Sequence, residues 1–189
     1  MNSNLNDFFE NKKILVTGAT GLIGSNLVEH LILKTENTKI IAASRSKHKL
    51  ISTFSEKIYK DRLEILELNI SEENGLMSLA KDIDLIFHAA SPQERNIVLN
   101  KPMEVINANI SGLKNCLNFL RLQQIETQRK GRLIVFSSLT IYGNDFGNKV
   151  ITLKEKDSNR AGCLSQKTSV YAESKRISEV IAEAYHRTH

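Results

Sequence analysis

The chain has 189 residues, 41% hydrophobic and 25% charged, which is the make-up of one soluble globular domain with a sizeable core. Its net charge of +5 comes from lysines and arginines spread along the chain, apart from a small cluster at Arg45, Lys47, His48 and Lys49. There is neither a basic stripe nor a reader motif for nucleic acid. Two cysteines, Cys116 and Cys163, are too few for a disulfide framework and lie in no zinc pattern. The five histidines lack metal-ligand spacing, and His186 and His189 have no third ligand beside them. No metal site is expected.

Residues 1–13 are polar and lack the apolar stretch of a signal peptide. No apolar run reaches the roughly 18 residues of a membrane span. The expected location is a reducing cytoplasm, with no membrane partner. From Ile14 onward, strand-length apolar runs alternate with helix-length segments, the pattern of βαβ units around a parallel sheet. The first strand is Ile14–Thr17, followed by a glycine-rich turn and a helix over about Ser25–Lys34. Within that helix, Leu27, Val28, Leu31 and Ile32 share one face. Further strands are expected at Lys39–Ser44, Leu63–Leu68, Asp84–Ala89 and Arg132–Ser137. Long helices are expected over Pro102–Gln124, with Cys116 as a small core residue, and from Ser169 to the C-terminus. The last helix carries Val170, Ile177, Val180, Ile181 and Ala184 on one side. Right-handed crossovers put the strands in the order 3-2-1-4-5, a Rossmann-like doubly wound α/β sheet. Gly143–Lys167 has no periodicity and reads as a long loop of the kind that lines sites.

Three features carry chemistry. Gly18, Gly21 and Gly24 stand between a strand and a helix, where a sharp turn, a close backbone approach to a pyrophosphate and tight helix packing each favour glycine. Their spacing is Gly-x-x-Gly-x-x-Gly rather than the commoner Gly-x-Gly-x-x-Gly. The second strand ends in Ser44-Arg45-Ser46, with no carboxylate to hold a ribose 2′-hydroxyl. Arg45, assisted by Ser44 or Ser46, can instead pair a 2′-phosphate, which favours NADP over NAD; the plainer alternative is a surface arginine stacking on the adenine of either cofactor. Tyr171 and Lys175 are four apart on one helix face. A cation beside a phenol favours the phenolate, which can then serve as a general base. Ser138, at the end of the fifth strand, can hydrogen-bond the reacting oxygen. His88 ends a buried strand and reads as a packed, hydrogen-bonded residue rather than a catalyst.

With these residues together the chain resembles the extended short-chain dehydrogenase/reductase superfamily, and within it the NAD(P)-dependent epimerase/dehydratase family of nucleotide-sugar enzymes. The resemblance rests on Thr17–Gly24, His88–Pro92, Asn109–Gly112, Ser137–Gly143 and Tyr171–Lys175, in matching order over nearly the whole chain. It implies Ser138, Tyr171 and Lys175 as catalytic residues. It implies cofactor contacts at Gly18, Thr20, Gly21, Leu22, Ile23 and Gly24, then at Ser44 and Arg45. Further contacts would fall at Asn69, Ile70, Ala89, Ala90, Ser91, Asn109, Tyr171 and Lys175. Asn69 stands where the family usually has an Asp facing adenine.

The implied reaction takes a proton to Tyr171 from a sugar hydroxyl as hydride passes to the nicotinamide. Dehydratases and decarboxylases of the family resemble a variant with acidic residues just after the catalytic hydroxyl, where this chain has Leu139 and Thr140. That favours an epimerase or keto-reductase, while His88–Pro92 also resembles the decarboxylase branch. Family members continue past the catalytic helix into further strands and a substrate domain, so residues 1–189 are expected to be the dinucleotide-binding domain with later strands and substrate domain absent. The fifth strand would then keep an open edge. Three readings stand: an enzyme cut short, a non-catalytic NADP-binding module, or a decayed product that does not fold stably. A homodimer through a four-helix bundle of helices 102–124 and 169–187 is also implied.

Overall fold

A computed structural model describes residues 5–54, 61–143, 152–155 and 169–189. The expected loop Gly143–Lys167 and Cys163 therefore lie largely or wholly outside the described residues. Five parallel strands run β1 (Lys13–Thr17), β2 (Lys39–Ser44), β3 (Leu63–Glu67), β4 (Leu85–His88) and β5 (Arg132–Val135). They lie in the order β3-β2-β1-β4-β5, as the crossover rule requires. The registers Ile14↔Ile40 and Ile14↔Leu85 align the three central strands so that their C-terminal ends meet at one edge.

Both faces of the sheet are covered, which is why the central strands are continuously apolar rather than alternating. On one face Ile14, Val16, Ile40, Ala42, Leu85 and Phe87 pack against Val28, Leu31 and Ile32 of α2 (Leu22–Lys34), and against Leu50 of α3 (Lys47–Thr53). On the other face Leu15, Ile41, Ala43 and Ile86 pack against Cys116, Phe119 and Leu120 of α6 (Gly112–Thr127). α2 begins at Leu22, three residues before the expected start, directly on the glycine turn. Short helices α1 (Leu5–Phe9), α3 and α4 (Arg95–Asn100) were not expected; none is long enough for helical periodicity to stand out in sequence.

The helix expected over Pro102–Gln124 is three segments: α5 (Pro102–Ile106), a π turn at Asn107–Ser111, and α6. Apolar periodicity across Val105, Leu113 and Phe119 survives the extra residue of the π turn, which is why it was invisible in the sequence. Ser138 lies three residues beyond β5 and caps a 3-10 turn (Leu139–Tyr142) instead of ending the strand.

In α7 (Ser169–Thr188) the buried residues are Ala172, Ser174, Lys175 and Ser178. Ile177 and Val180, on its apolar side, are exposed. Together with Ile106 and Ile110 they form a shallow apolar groove. β5 is the edge of the sheet among the described residues.

Gln123 is a buried polar residue the sequence did not flag. Its amide accepts from the N–H of Ile83 at 2.9 Å and donates to the carbonyl of Ile83 at 2.9 Å, closing the chain just before β4 onto α6. Gln123→Leu keeps the volume but leaves both backbone groups buried without partners, at about 1–3 kcal/mol each. Urea unfolding is expected to show a loss of about 2–4 kcal/mol in stability.

Candidate active site

The turn after β1 is built backbone against backbone. Gly18 has φ 67°, in the left-handed region, and a Cβ on it would lie 2.7 Å from the backbone of Ala89 and Ala90. Glycine is thus required there both by conformation and by space. A Cβ on Gly24 would come within 2.4 Å of the Gly18 carbonyl oxygen, so α2 starts in contact with the turn. Gly21 is the N-cap of α2 and supplies no side-chain acceptor. The first-turn N–H groups at Leu22, Ile23 and Gly24 have no intrahelical acceptor, and the positive end of a 13-residue helix points outward with them.

In front of this turn lies a cleft of about 470 Å³ at the C-terminal ends of the strands. Gly18, Thr20 and Gly21 line it from the turn, Ser44 from the end of β2 and Arg45 just after it, and Asn69 and Ile70 from the segment after β3. Ala89, Ala90 and Ser91 line it after β4. Leu22 and Ile23 stand exposed on the first turn of α2. Gly24 is buried behind the turn, in a packing role. The Asn69 side chain is engaged locally, accepting from Ser71 N–H at 3.2 Å and donating to Glu72 at 3.0 Å. The hydroxyl of Ser91 is buried with no hydrogen-bond partner among the described residues.

The far wall was missed by sequence reading. Glu94, Ile97, Glu104, Asn107 and Ala108 line the cleft from α4, α5 and the π turn. No local motif marks them, since their place is set by packing against distant strands.

His88 joins this wall to the sheet. Its Nε2 lies 3.2 Å from the carbonyl oxygen of Ala108, which can only accept, so Nε2 carries the proton. Nδ1 then accepts from the Thr17 hydroxyl at 2.9 Å, while the N–H of Ala90 reaches the same Thr17 oxygen at 3.4 Å. This arrangement needs a neutral ring. Burial, reinforced by the nearby Lys175 charge, pulls the pKa of His88 from 6.5 to about 4, with the Ala108 bond opposing. The expectation of a packed, hydrogen-bonded His88 holds. Beside it, burial pushes the Cys116 thiol far up, so Cys116 is an inert core residue.

The next residue of the π turn, Asn109, is buried and donates to Ser174 Oγ at 2.8 Å. Ser174 in turn donates to the carbonyl of Tyr171 at 2.8 Å, and Ser178 donates to the carbonyl of Asn109 at 3.1 Å. The π turn therefore clamps α7. Arg176 adds a hydrogen bond to the carbonyl of Ile141.

On α7, Lys175 is 4% exposed and donates from Nζ to the carbonyl of Phe136 at 2.8 Å. Burial lowers its pKa from 10.5 to about 8. Its ammonium is 5.9 Å from the centroid of the partly buried Tyr171 ring. Ser138 Oγ accepts from Thr140 Oγ1 at 3.0 Å and from Thr140 N–H at 3.3 Å. Ser138 faces a second cavity of about 520 Å³, which Glu155 and Glu179 also line. Tyr171 and Lys175 meet at the start of α7, whereas neither they, Asn109 nor Ser138 line the first cleft. Among the described residues no group of three or more His, Cys, Asp or Glu side chains could hold a metal ion.

A model of the NAD dependent epimerase/dehydratase family matches residues 14–189. UDP-glucuronic acid decarboxylase 6 of Arabidopsis thaliana is 28% identical over 183 residues, covering 96% of this chain and 48% of its own. Among solved structures, dTDP-glucose 4,6-dehydratase from Bacillus anthracis in complex with NAD has a TM-score of 0.72 at 22% identity, over 94% of this chain and 51% of that one. Yeast methylglyoxal/isovaleraldehyde reductase Gre2 complexed with NADPH has a TM-score of 0.68 at 20% identity, over 93% and 53%. The chain spans about half the length of the curated relatives it matches.

The depressed pKa of His88 gives stability a defined pH dependence. Between about 4 and 6.5 the unfolded chain takes up a proton that the folded chain refuses. Stability is thus full above pH 6.5 and falls as pH drops toward 4. In urea unfolding across this window, His88→Gln is expected to show a shallower slope than the wild type.

Proposed function

Because the chain belongs to the NAD-dependent epimerase/dehydratase family, we propose that it binds NAD(P) in the 470 Å³ cleft and interconverts a hydroxyl and a ketone on a nucleotide sugar. Ser138, Tyr171 and Lys175 are the catalytic group. The observation that carries this reading is Lys175: a buried ammonium four residues from Tyr171, anchored on the carbonyl of Phe136 just beyond the carboxyl end of β5.

The cleft suits such a cofactor on its own chemistry. Uncapped N–H groups of α2 offer donors to a pyrophosphate, and the glycine turn leaves its backbone open to it. The Ser91 hydroxyl, without a partner among the described residues, can serve a ribose or phosphate oxygen. When bound, the nicotinamide would accept or return a hydride. Tyr171 holds the proton of the reacting hydroxyl at its phenolic oxygen. Lys175, with a pKa lowered to about 8, remains mostly charged near neutrality and keeps a cation 5.9 Å from the centre of the Tyr171 ring. Ser138 already accepts two bonds from Thr140, so its own proton is free to be donated to the substrate oxygen.

Leu139 and Thr140 follow Ser138 where a dehydratase-type site would use a carboxylate, and this supports an epimerase or keto-reductase. A decarboxylase is the second reading, favoured by the relatives carrying that name. Arg45, flanked by Ser44 and Ser46 with no carboxylate on β2, supports NADP as the preferred cofactor. No helix among the described residues is long and apolar enough to cross a membrane, and the working location is the cytoplasm. The exposed apolar side of α7, with Ile177 and Val180, is the surface for a homodimer.

Thermal unfolding with saturating cofactor tests the site. NADPH is expected to stabilise the chain, by about 2.7 kcal/mol at a hundred times its Kd, with NADH giving less at equal concentration; no stabilisation by either overturns the dinucleotide reading. Tyr171→Phe is expected to keep that stabilisation while hydride transfer to nucleotide sugars falls by about 10²–10⁴. Near wild-type turnover would remove Tyr171 from the mechanism.

A further inference from the structure

The residue assigned to the 2′-phosphate does not stand alone. Arg45 Nη1 lies 3.4 Å from Oε2 of Glu104, across the mouth of the cleft that both residues line. The other oxygen of the same carboxylate takes the Lys101 ammonium at 3.0 Å. Glu104 is ionised at neutral pH: the Lys101 hydrogen bond above all, with Arg45 adding to it, holds its carboxyl below the usual range. Arg45 and Glu104 keep 59% and 38% of their side chains exposed, so the pair can be opened by a competing anion. They come from walls 59 residues apart in sequence.

We propose that Glu104 is a specificity-determining residue of the dinucleotide site, a carboxylate that competes with a cofactor 2′-phosphate for the Arg45 guanidinium and so narrows the preference for NADPH over NADH. This rests on the reading of Arg45 given above. A guanidinium offers one planar fork of donors. A carboxylate and a phosphate are both matched to it, so a phosphate gains only the difference between the two partners. A cofactor with a plain 2′-hydroxyl does not depend on the fork and loses little to the carboxylate. Lys49 also lines the cleft, so releasing Arg45 leaves two cations on the same rim.

The test is calorimetric titration of NADPH and NADH into the wild type, Glu104→Gln, Arg45→Ala and the double variant. Circular dichroism checks that each variant is folded. Glu104→Gln is expected to raise NADPH affinity by about three- to fivefold, the range of an exposed ion pair, while NADH affinity moves less than about twofold. The gain should shrink at about 0.5 M salt, where charges are screened, and should vanish in the Arg45→Ala background. An unchanged NADPH/NADH ratio in Glu104→Gln, or a gain that persists without Arg45, overturns the role of Glu104. If Arg45→Ala itself leaves the ratio untouched, it is the parent reading of Arg45 that fails. If Arg45→Ala lowers the ratio and Glu104→Gln does not change it, only the inference about Glu104 falls.

Discussion

The site depends on one buried hydrogen-bond chain. The Thr17 hydroxyl donates to His88 Nδ1, and His88 Nε2–H donates to the carbonyl of Ala108. Thr17 ends β1 at the glycine turn, His88 ends β4, and Ala108 belongs to the π turn. The chain thus joins the two central strands to the helix that forms the far wall. Covalent continuity carries the constraint one residue further, since Asn109 follows Ala108 and clamps α7 through Ser174. The position of Tyr171 and Lys175 is therefore held by hydrogen bonds, including that of the Lys175 ammonium to the Phe136 carbonyl, rather than by ion pairs to the sheet. Buried bonds of this kind are costly to leave half-made, which makes the arrangement rigid.

The π turn makes this possible. Two successive carbonyls of the π turn, Ala108 and Asn109, accept from the His88 and Ser178 side chains. One helix thereby addresses the sheet on one side and α7 on the other. Such turns are frequently found at functional sites. The buried face of α7 fits the same logic. It is small and polar, with Ala172, Ser174, Lys175 and Ser178, because it packs on hydrogen-bonding backbone rather than on an apolar layer. Its apolar side is left facing out.

Two electrostatic environments lie close together at the carboxyl edge of the sheet. Around Lys175 and His88, burial dominates and both groups lose basicity. Around Arg45, Lys101 and Glu104 the groups are exposed and pair with one another. The first environment holds a cation of lowered basicity on the helix face that also carries Tyr171. The second is suited to exchanging partners with an incoming anion, because exposed pairs are weak and easily replaced.

Much of the fold was legible in the sequence. Ile14–Thr17 and Lys39–Ser44 are short apolar runs, and the stripe Val28, Leu31, Ile32 follows a 3.6-residue period; both signals need only neighbouring residues. The glycines were legible for the same reason: the φ of 67° at Gly18 is a local property that favours glycine, and the Tyr171–Lys175 spacing is one helical turn. By contrast, Ser138 was placed at a strand end when it caps a 3-10 turn, since the competition between strand and turn was decided by its bonds with Thr140. What the sequence by itself determined is the order of the elements, the parallel sheet and the residue types at the glycine turn and the Tyr-Lys pair. Only the tertiary structure decided that His88 bridges Thr17 and Ala108, that Arg45 meets Glu104, and that α7 turns its polar side inward. These contacts join residues 20 to 71 positions apart. They follow from which strands and helices stack, and no periodicity within a short window encodes them.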